Sequence, residues 1–211
     1  MTVLKIILAD DHAVVRQGVK QIIAGAFPSA TFGEAANAHD LLGLVRNGTW
    51  DIVVLDLTMP GNNGLDMLKQ IKHDLPKLPV LILSMYPEDQ FAVRAIRAGA
   101  AGYLNKEGAP EELVLALQKI LAGGNYISAA VADELILHTR QNDNRPTHEQ
   151  LSDREYQVLC LIASGRAVKD ISAELSVSAA TVSTYRARIL QKMNMKSNAD
   201  LMQYAMQNGL V

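Results

Sequence analysis

The sequence predicts a doubly wound α/β sheet followed by a small all-α domain. Three observations carry this. Short apolar runs alternate with helical periods through residues 1–125, the strand signal stops after Gly123-Gly124, and everything after Ser152 reads as helix. A chain of 211 residues suits two compact units.

The runs Val3–Ala9, Ile52–Leu57, Val80–Ser84 and Gly102–Leu104 are rich in Val, Ile and Leu and read as buried strands. The segment Thr31–Ala35 is a weaker fifth. Helical periods fall between them, over Ala13–Gly25, His39–Asn47, Gly64–His73, Pro87–Gly99 and Pro110–Ala122. Such alternation implies parallel βαβ units with right-handed crossovers and a sheet covered on both faces. Ser128 caps a further helix over Ala129–Arg140, and the polar Gln141-Asn142-Asp143-Asn144-Arg145-Pro146 reads as a linker ending in a helix breaker. Ser152-Asp153-Arg154-Glu155 has capping-box spacing, and Gly165 closes the helix it opens. Val168–Leu175 forms a second helix, Ser178 caps a third over Ala179–Met193, and Ser197 or Asn198 starts a fourth that stops at Gly209. The expected organisation is 1–122, a connection with its own helix over 123–147, and 148–211.

At 49% hydrophobic and 20% charged residues, the composition excludes disordered, collagen-like and coiled-coil chains. Twenty basic against 22 acidic side chains leave a net charge of −2, which advertises no nucleic-acid binding. Between residues 176 and 196, however, Arg186, Arg188, Lys192 and Lys196 stand without an acidic residue, a basic patch hidden in a neutral total. The single cysteine, Cys160, lies on an apolar helical face and reads as core; one cysteine makes neither a disulfide framework nor a Cys-based zinc site. No apolar run approaches the ~18 residues of a membrane span, and Met1-Thr2-Val3-Leu4-Lys5 is no signal peptide. A soluble, cytoplasmic protein without membrane contact is expected.

Polar residues sit at the strand ends: Asp10 and Asp11 after the first, Asp56 at the end of the third, Ser84 ending the fourth, Lys106 just past the fifth. In an open parallel sheet the C-terminal strand ends share one edge, where ligands bind, so these five side chains should converge. Three neighbouring carboxylates need a counter-charge. The all-oxygen donor set favours Mg²⁺. A lysine and a hydroxyl beside it suit a phosphoryl group. Asp56 is then the natural nucleophile, forming an acyl phosphate.

These residues, with Asp56-Leu57-Thr58-Met59-Pro60-Gly61, resemble the receiver domain of two-component response regulators over roughly 1–122. The resemblance implies a flavodoxin-like fold with sheet order 2-1-3-4-5 and phosphotransfer from a sensor histidine kinase to Asp56. It makes Asp11, Asp56 and the backbone carbonyl of Thr58 metal ligands with Asp10 close by, Ser84 and Lys106 phosphoryl-binding groups, and Tyr103 the aromatic switch. Many receivers follow the lysine with a cis proline; here Glu107 follows Lys106, so a trans peptide is expected. Thr58 and Tyr86 lie two residues past Asp56 and Ser84, where their bulk is expected to slow water attack on the acyl phosphate.

Helix, short turn and helix over 168–193 read as a helix-turn-helix, whose second helix enters the major groove of double-stranded DNA. At 100° per residue, Val182, Ile189 and Met193 form its buried stripe. Opposite lie Thr184, Ala187 and Gln191, flanked by Ser183 and Arg188, while Arg186, Lys192 and Lys196 are placed to reach phosphates. Leu151-Ser152-Asp153-Arg154-Glu155, Leu161-Ile162-Ala163-Ser164-Gly165, Ile171-Ser172 and Thr181-Val182-Ser183 resemble the LuxR-type DNA-binding domain over about 148–211. The whole chain is similar to NarL/FixJ-type response regulators, and Thr181-Val182-Ser183-Thr184-Tyr185-Arg186 to their BvgA/EvgA branch. In that family the last helix, here Asn198–Asn208, mediates dimer contact.

The resemblance implies a transcription regulator that forms an active homodimer on an inverted-repeat site, with RNA polymerase a further candidate partner. In the switch this suggests, phosphorylation draws Ser84 inward and Tyr103 turns into the vacated space. Two other classes compete. A haloacid-dehalogenase-like phosphatase needs a second carboxylate two residues past its nucleophile, where this chain has Thr58. A constitutive DNA binder has no use for an intact acidic site.

Overall fold

The computed structural model describes residues 3–59, 62–140 and 147–211; the linker reading at 141–146 lies outside them. The chain divides into two compact units, Met1–Asp133 and Glu134–Val211.

In the first unit β1 (Lys5–Ala9), β2 (Thr31–Ala35), β3 (Ile52–Leu55), β4 (Val80–Ser84) and β5 (Gly102–Asn105) form one parallel sheet of order β2-β1-β3-β4-β5. Helices α1 (Ala13–Ala26), α2 (Ala38–Asn47), α3 (Gly64–Asp74), α4 (Glu88–Arg97) and α5 (Ala109–Leu121) alternate with the strands. This is the flavodoxin-like order expected. The central strands β3 and β4 are buried at every position, which explains why they read as unbroken apolar runs. Ile6, Leu8, Ile52, Val54, Leu81 and Leu83 pack with Val19 and Ile23 of α1 and Leu113, Leu117 and Ile120 of α5. The alternate residues Ile7, Val53, Leu55 and Ile82 are equally buried and face the opposite side of the sheet.

Strand β3 stops two residues short of the expected Leu57, because the chain turns at Asp56 to bring Gly64, the first residue of α3, against it. The Gly64 N–H donates to the Leu57 carbonyl at 3.1 Å. The first unit also runs past the expected boundary at 122. Tyr126 lies as a parallel bridge beside Gly102. Its N–H donates to the Ala101 carbonyl at 2.9 Å and its carbonyl accepts the Tyr103 N–H at 3.2 Å. A Cβ on Gly102 would meet the Tyr126 oxygen at 2.8 Å, so glycine is what allows this approach. The Tyr126 hydroxyl donates to Glu112 at 2.7 Å, and Glu88 accepts the Ser128 N–H at 3.3 Å. Ser128 then caps α6 (Ala129–Arg140) through the Val131 N–H, as its position suggested.

The second unit holds a 3₁₀ turn (Thr147–Gln150), which periodicity did not reveal, then α7 (Asp153–Ala163), α8 (Val168–Glu174), α9 (Ala179–Lys192) and α10 (Asn198–Gln207). The capping box at Ser152 and Glu155 is formed, and a second joins Ser197 to Asp200. Helix α7 is buried from Glu155 to Ala163, Cys160 included, because α8, α9 and α10 all pack on it.

Gly64 tests the local construction. A Cβ there would lie 2.5 Å from the Leu57 Cα and 2.6 Å from the Asp56 carbonyl oxygen, both backbone atoms that cannot swing aside. Gly64→Ala should therefore lower stability by about 1–3 kcal/mol, measured by denaturant unfolding.

Candidate functional site

The sheet delivers its polar residues to one edge, each held by a backbone bond beyond the strand that carries it. The Asp56 N–H donates to the Ala9 carbonyl at 2.8 Å, and the Lys106 N–H to the Ser84 carbonyl at 2.8 Å. Lys106 Nζ then lies 2.7 Å from Asp10 Oδ2 and 2.8 Å from Asp56 Oδ2. Asp56 is only 1% exposed. Its Oδ1 accepts the Thr58 N–H at 3.2 Å and its Oδ2 the Thr58 hydroxyl at 3.0 Å. Asp10 Oδ1 accepts the His12 N–H at 2.8 Å.

Burial pushes the Asp56 carboxyl above its ordinary range, against the pull of Lys106. Burial alone would depress the Lys106 ammonium, but Asp56 and Asp10 outweigh it and hold its proton more firmly than usual. The cluster is short of positive charge: one ammonium faces Asp10 and Asp56, and Asp11 Oδ1 is buried with the His12 ring beside it but no aligned hydrogen bond. Ligand atoms of Asp10, Asp11, His12 and Asp56 lie within 4.8 Å of one another. A set of carboxylate oxygens with an unsatisfied member fits a hard divalent cation. Sequence reasoning missed His12, whose Nδ1 lies 2.8 Å from Asp11 Oδ1; its one signal was adjacency to the paired aspartates.

The remaining two expectations change. Ser84 is fully buried, and its Oγ accepts the Tyr86 N–H at 3.1 Å. Tyr103 does not await a modification to turn inward: it is 1% exposed already, because the Tyr86 carbonyl accepts its hydroxyl at 2.8 Å and satisfies the buried polar tip. Burial raises its phenol well above the ordinary value, against a hydrogen bond with Ser84. The Tyr86 ring stacks on Phe91 at 4.6 Å between centroids, while its backbone carbonyl receives Tyr103. The Lys106–Glu107 peptide is trans.

In the second unit, α8, the turn and α9 form the expected helix-turn-helix. Ser176 takes a positive φ of 52° in the turn, and Ser178 Oγ accepts the Thr181 N–H. Arg154 donates to the Leu175 carbonyl at 2.7 Å, fixing the turn on α7. Val182 and Ile189 are fully buried and Met193 nearly so, which leaves Ser183, Thr184, Ala187, Arg188 and Gln191 exposed on the far side. Ser183 and Thr184 turn their hydroxyls back onto the carbonyls of Ala179 and Ala180. Two expected phosphate contacts are committed within the unit: Arg186 Nε donates to Asn198 at 2.5 Å, and Lys192 Nζ to Glu155 at 2.6 Å. Exposed Arg188 makes no such bond among the described residues.

A phosphoacceptor-like acidic edge on a flavodoxin-like sheet, followed by a separate helix-turn-helix unit, defines a phosphorylation-controlled DNA-binding regulator. Residues 6–118 match the response regulator receiver domain, and residues 149–205 match the luxR family of bacterial regulatory proteins. The chain belongs to the response regulators, of the NarL/FixJ type. It is 35% identical to the response regulator GacA of Pseudomonas aeruginosa over 99% of this chain and 98% of that protein. It is 31% identical to UvrY of Escherichia coli over 98% and 95%. Among solved structures, RcsB of Salmonella typhimurium superposes with a TM-score of 0.67 at 25% identity over 98% of each chain. A LuxR-family response regulator from Aurantimonas gives a TM-score of 0.58 at 37% identity, over 66% of this chain and 100% of that one. The protein is thus a phosphoacceptor regulator rather than a turnover enzyme, which disposes of the phosphatase reading. Among the described residues no helix is long and apolar enough to cross a membrane.

Glu155 offers a test of the second unit. Burial would raise its carboxyl, but the bonds from Lys192 and Ser152 outweigh it and hold it below the ordinary range. A depressed value in the folded state stabilises above the unfolded value of about 4.3 and is lost as pH falls through the folded one. The free energy of unfolding, measured by denaturant at a series of pH values, should therefore fall as the solution is acidified through that range, and Glu155→Gln should flatten that dependence.

Proposed function

We propose that Asp56 is the phosphoacceptor. A carboxylate oxygen of Asp56 attacks phosphorus; the new O–P bond forms as the P–N bond to the histidine of the sensor kinase breaks, and the imidazole nitrogen leaves with the bonding pair. The observation that carries this reading is Lys106 Nζ held within 2.8 Å of both Asp10 and Asp56, a cation already placed at the oxygen that would be loaded. Asp11, Asp56 and the Thr58 carbonyl would hold Mg²⁺, with Asp10 beside it. When bound, the ion neutralises charge on the transferring phosphoryl oxygens. Lys106 and the Ser84 hydroxyl bind the phosphoryl group, and the Ser84–Tyr86–Tyr103 contacts carry the change outward. Thr58 stands where a haloacid-dehalogenase-like phosphatase needs its second carboxylate, which supports slow autodephosphorylation.

The phosphoacceptor residues are assigned to 1–122 and the DNA-binding unit to 148–211, with the start of the 123–147 connection packed on the first through Tyr126 and Ser128. Phosphorylation stabilises a cytoplasmic homodimer whose α9 helices enter the major groove of double-stranded DNA, with RNA polymerase a partner at the promoter. RcsB, which shares the fold, is known in a DNA complex. Ser183, Thr184, Ala187 and Gln191 face the bases, and Arg188 the backbone, with Arg186 and Lys192 at its margins.

Labelling by a small phosphodonor with Mg²⁺ should vanish in Asp56→Asn, together with any phosphorylation-dependent gain in promoter occupancy. The variant should fold at least as stably as the parent, because it removes a buried carboxylate whose charge is costly. Labelling that persists would refute the assignment. For the DNA face, Arg188→Gln should reduce the salt dependence of binding by about one unit of slope. Lys192→Gln should leave the slope nearly unchanged and instead lower the melting temperature, since its partner is Glu155.

A further inference from the structure

Asp10 and Asp11 sit on the loop between β1 and α1. The Asp10 N–H remains in the sheet, donating to the Ala35 carbonyl at 3.1 Å, but its carbonyl has left the strand ladder. Arg16, in the first turns of α1, recovers that carbonyl: its Nη1 donates to it at 2.6 Å. On the other side of Asp11 the His12 N–H is fixed by Asp10 Oδ1. Asp11 thus hangs between two held points, and its buried Oδ1 accepts no aligned hydrogen bond, although the exposed His12 ring lies 2.8 Å away. The guanidinium is itself constrained. Its side chain is 15% exposed, its Nε lies 3.6 Å from Glu34 Oε2 on β2, and Glu34 is anchored by Lys20 at 2.7 Å. The α1 backbone aligns the group, since the Arg16 N–H donates to the His12 carbonyl. A planar, rigid set of donors suits such a pin better than a flexible ammonium does.

We propose that Arg16 is a positioning residue for the phosphoacceptor site, holding the Asp10–Asp11 loop in the geometry that binds the divalent cation. This rests on the metal reading above. The direction of the effect separates position from charge. A cation close to an acidic cluster repels a divalent ion, so on charge alone the loss of Arg16 would tighten metal binding. Loss of a group that orients metal ligands weakens binding, typically by 10-fold to 100-fold.

The test is Mn²⁺ titration of the full-length protein, followed by electron paramagnetic resonance without a phosphodonor. Arg16→Met should weaken the apparent Kd about 10-fold or more, with Arg16→Lys between it and the parent. The rate of labelling by a small phosphodonor in Arg16→Met should recover at high Mg²⁺, a change in half-saturation rather than in maximal rate. Unchanged or tighter Mn²⁺ binding in Arg16→Met overturns the proposal. Should that variant not fold, as read by circular dichroism, parental affinity in the charge-conserving Arg16→Lys overturns it equally. Parental protein that binds no Mn²⁺, or whose binding survives Asp11→Asn, defeats the metal reading itself and the proposal with it.

Discussion

The ammonium of Lys106, shared between Asp10 and Asp56, is the contact on which the polar edge of the first unit depends. It joins groups 96 and 50 residues apart in sequence and ties together the ends of β1, β3 and β5. Two carboxylates at most 5% exposed are tolerable only beside such a charge, and the desolvation that makes them costly also strengthens every interaction they form. The apolar strands are therefore more than filler. They exclude water from one side of the cluster and fix its members to within a hydrogen bond, the preorganisation that the proposed phosphoryl site requires.

Much of this was legible in the residues. Continuous Val, Ile and Leu runs identify central parallel strands, and strand-end topology then brings scattered Asp, Ser and Lys together before any coordinate is known. What the pattern does not carry is the direction of side chains that satisfy one another locally. Tyr86 reads as a flanking bulk, yet stacking on Phe91 takes its ring and leaves its carbonyl to receive Tyr103. Tyr103 reads as poised to move, yet that same carbonyl already rewards the buried state. His12 and Arg16 carry no periodic signal, because their importance comes from a loop only three residues long.

The second unit shows the same division. The α9 stripe of Val182, Ile189 and Met193 follows from the helical period alone, and so does the exposed face opposite. The commitment of Lys192 to Glu155 and of Arg186 to Asn198 does not, since each pairing depends on where another helix passes. A basic patch counted from sequence therefore overstates the charge left over for DNA. Glu155 serves two structures at once, closing the cap of α7 and holding the end of α9, which couples the orientation of the recognition helix to the start of the domain.

The segment around Tyr126 has a consequence for handling the molecule. By lying beside β5 it occupies hydrogen-bonding groups at the outermost strand, the place where a sheet otherwise invites another chain to pair. A receiver trimmed after Ala122 loses that cover and bares a fresh margin prone to strand exchange and aggregation. A fragment carried on through Ser128 keeps its border sealed.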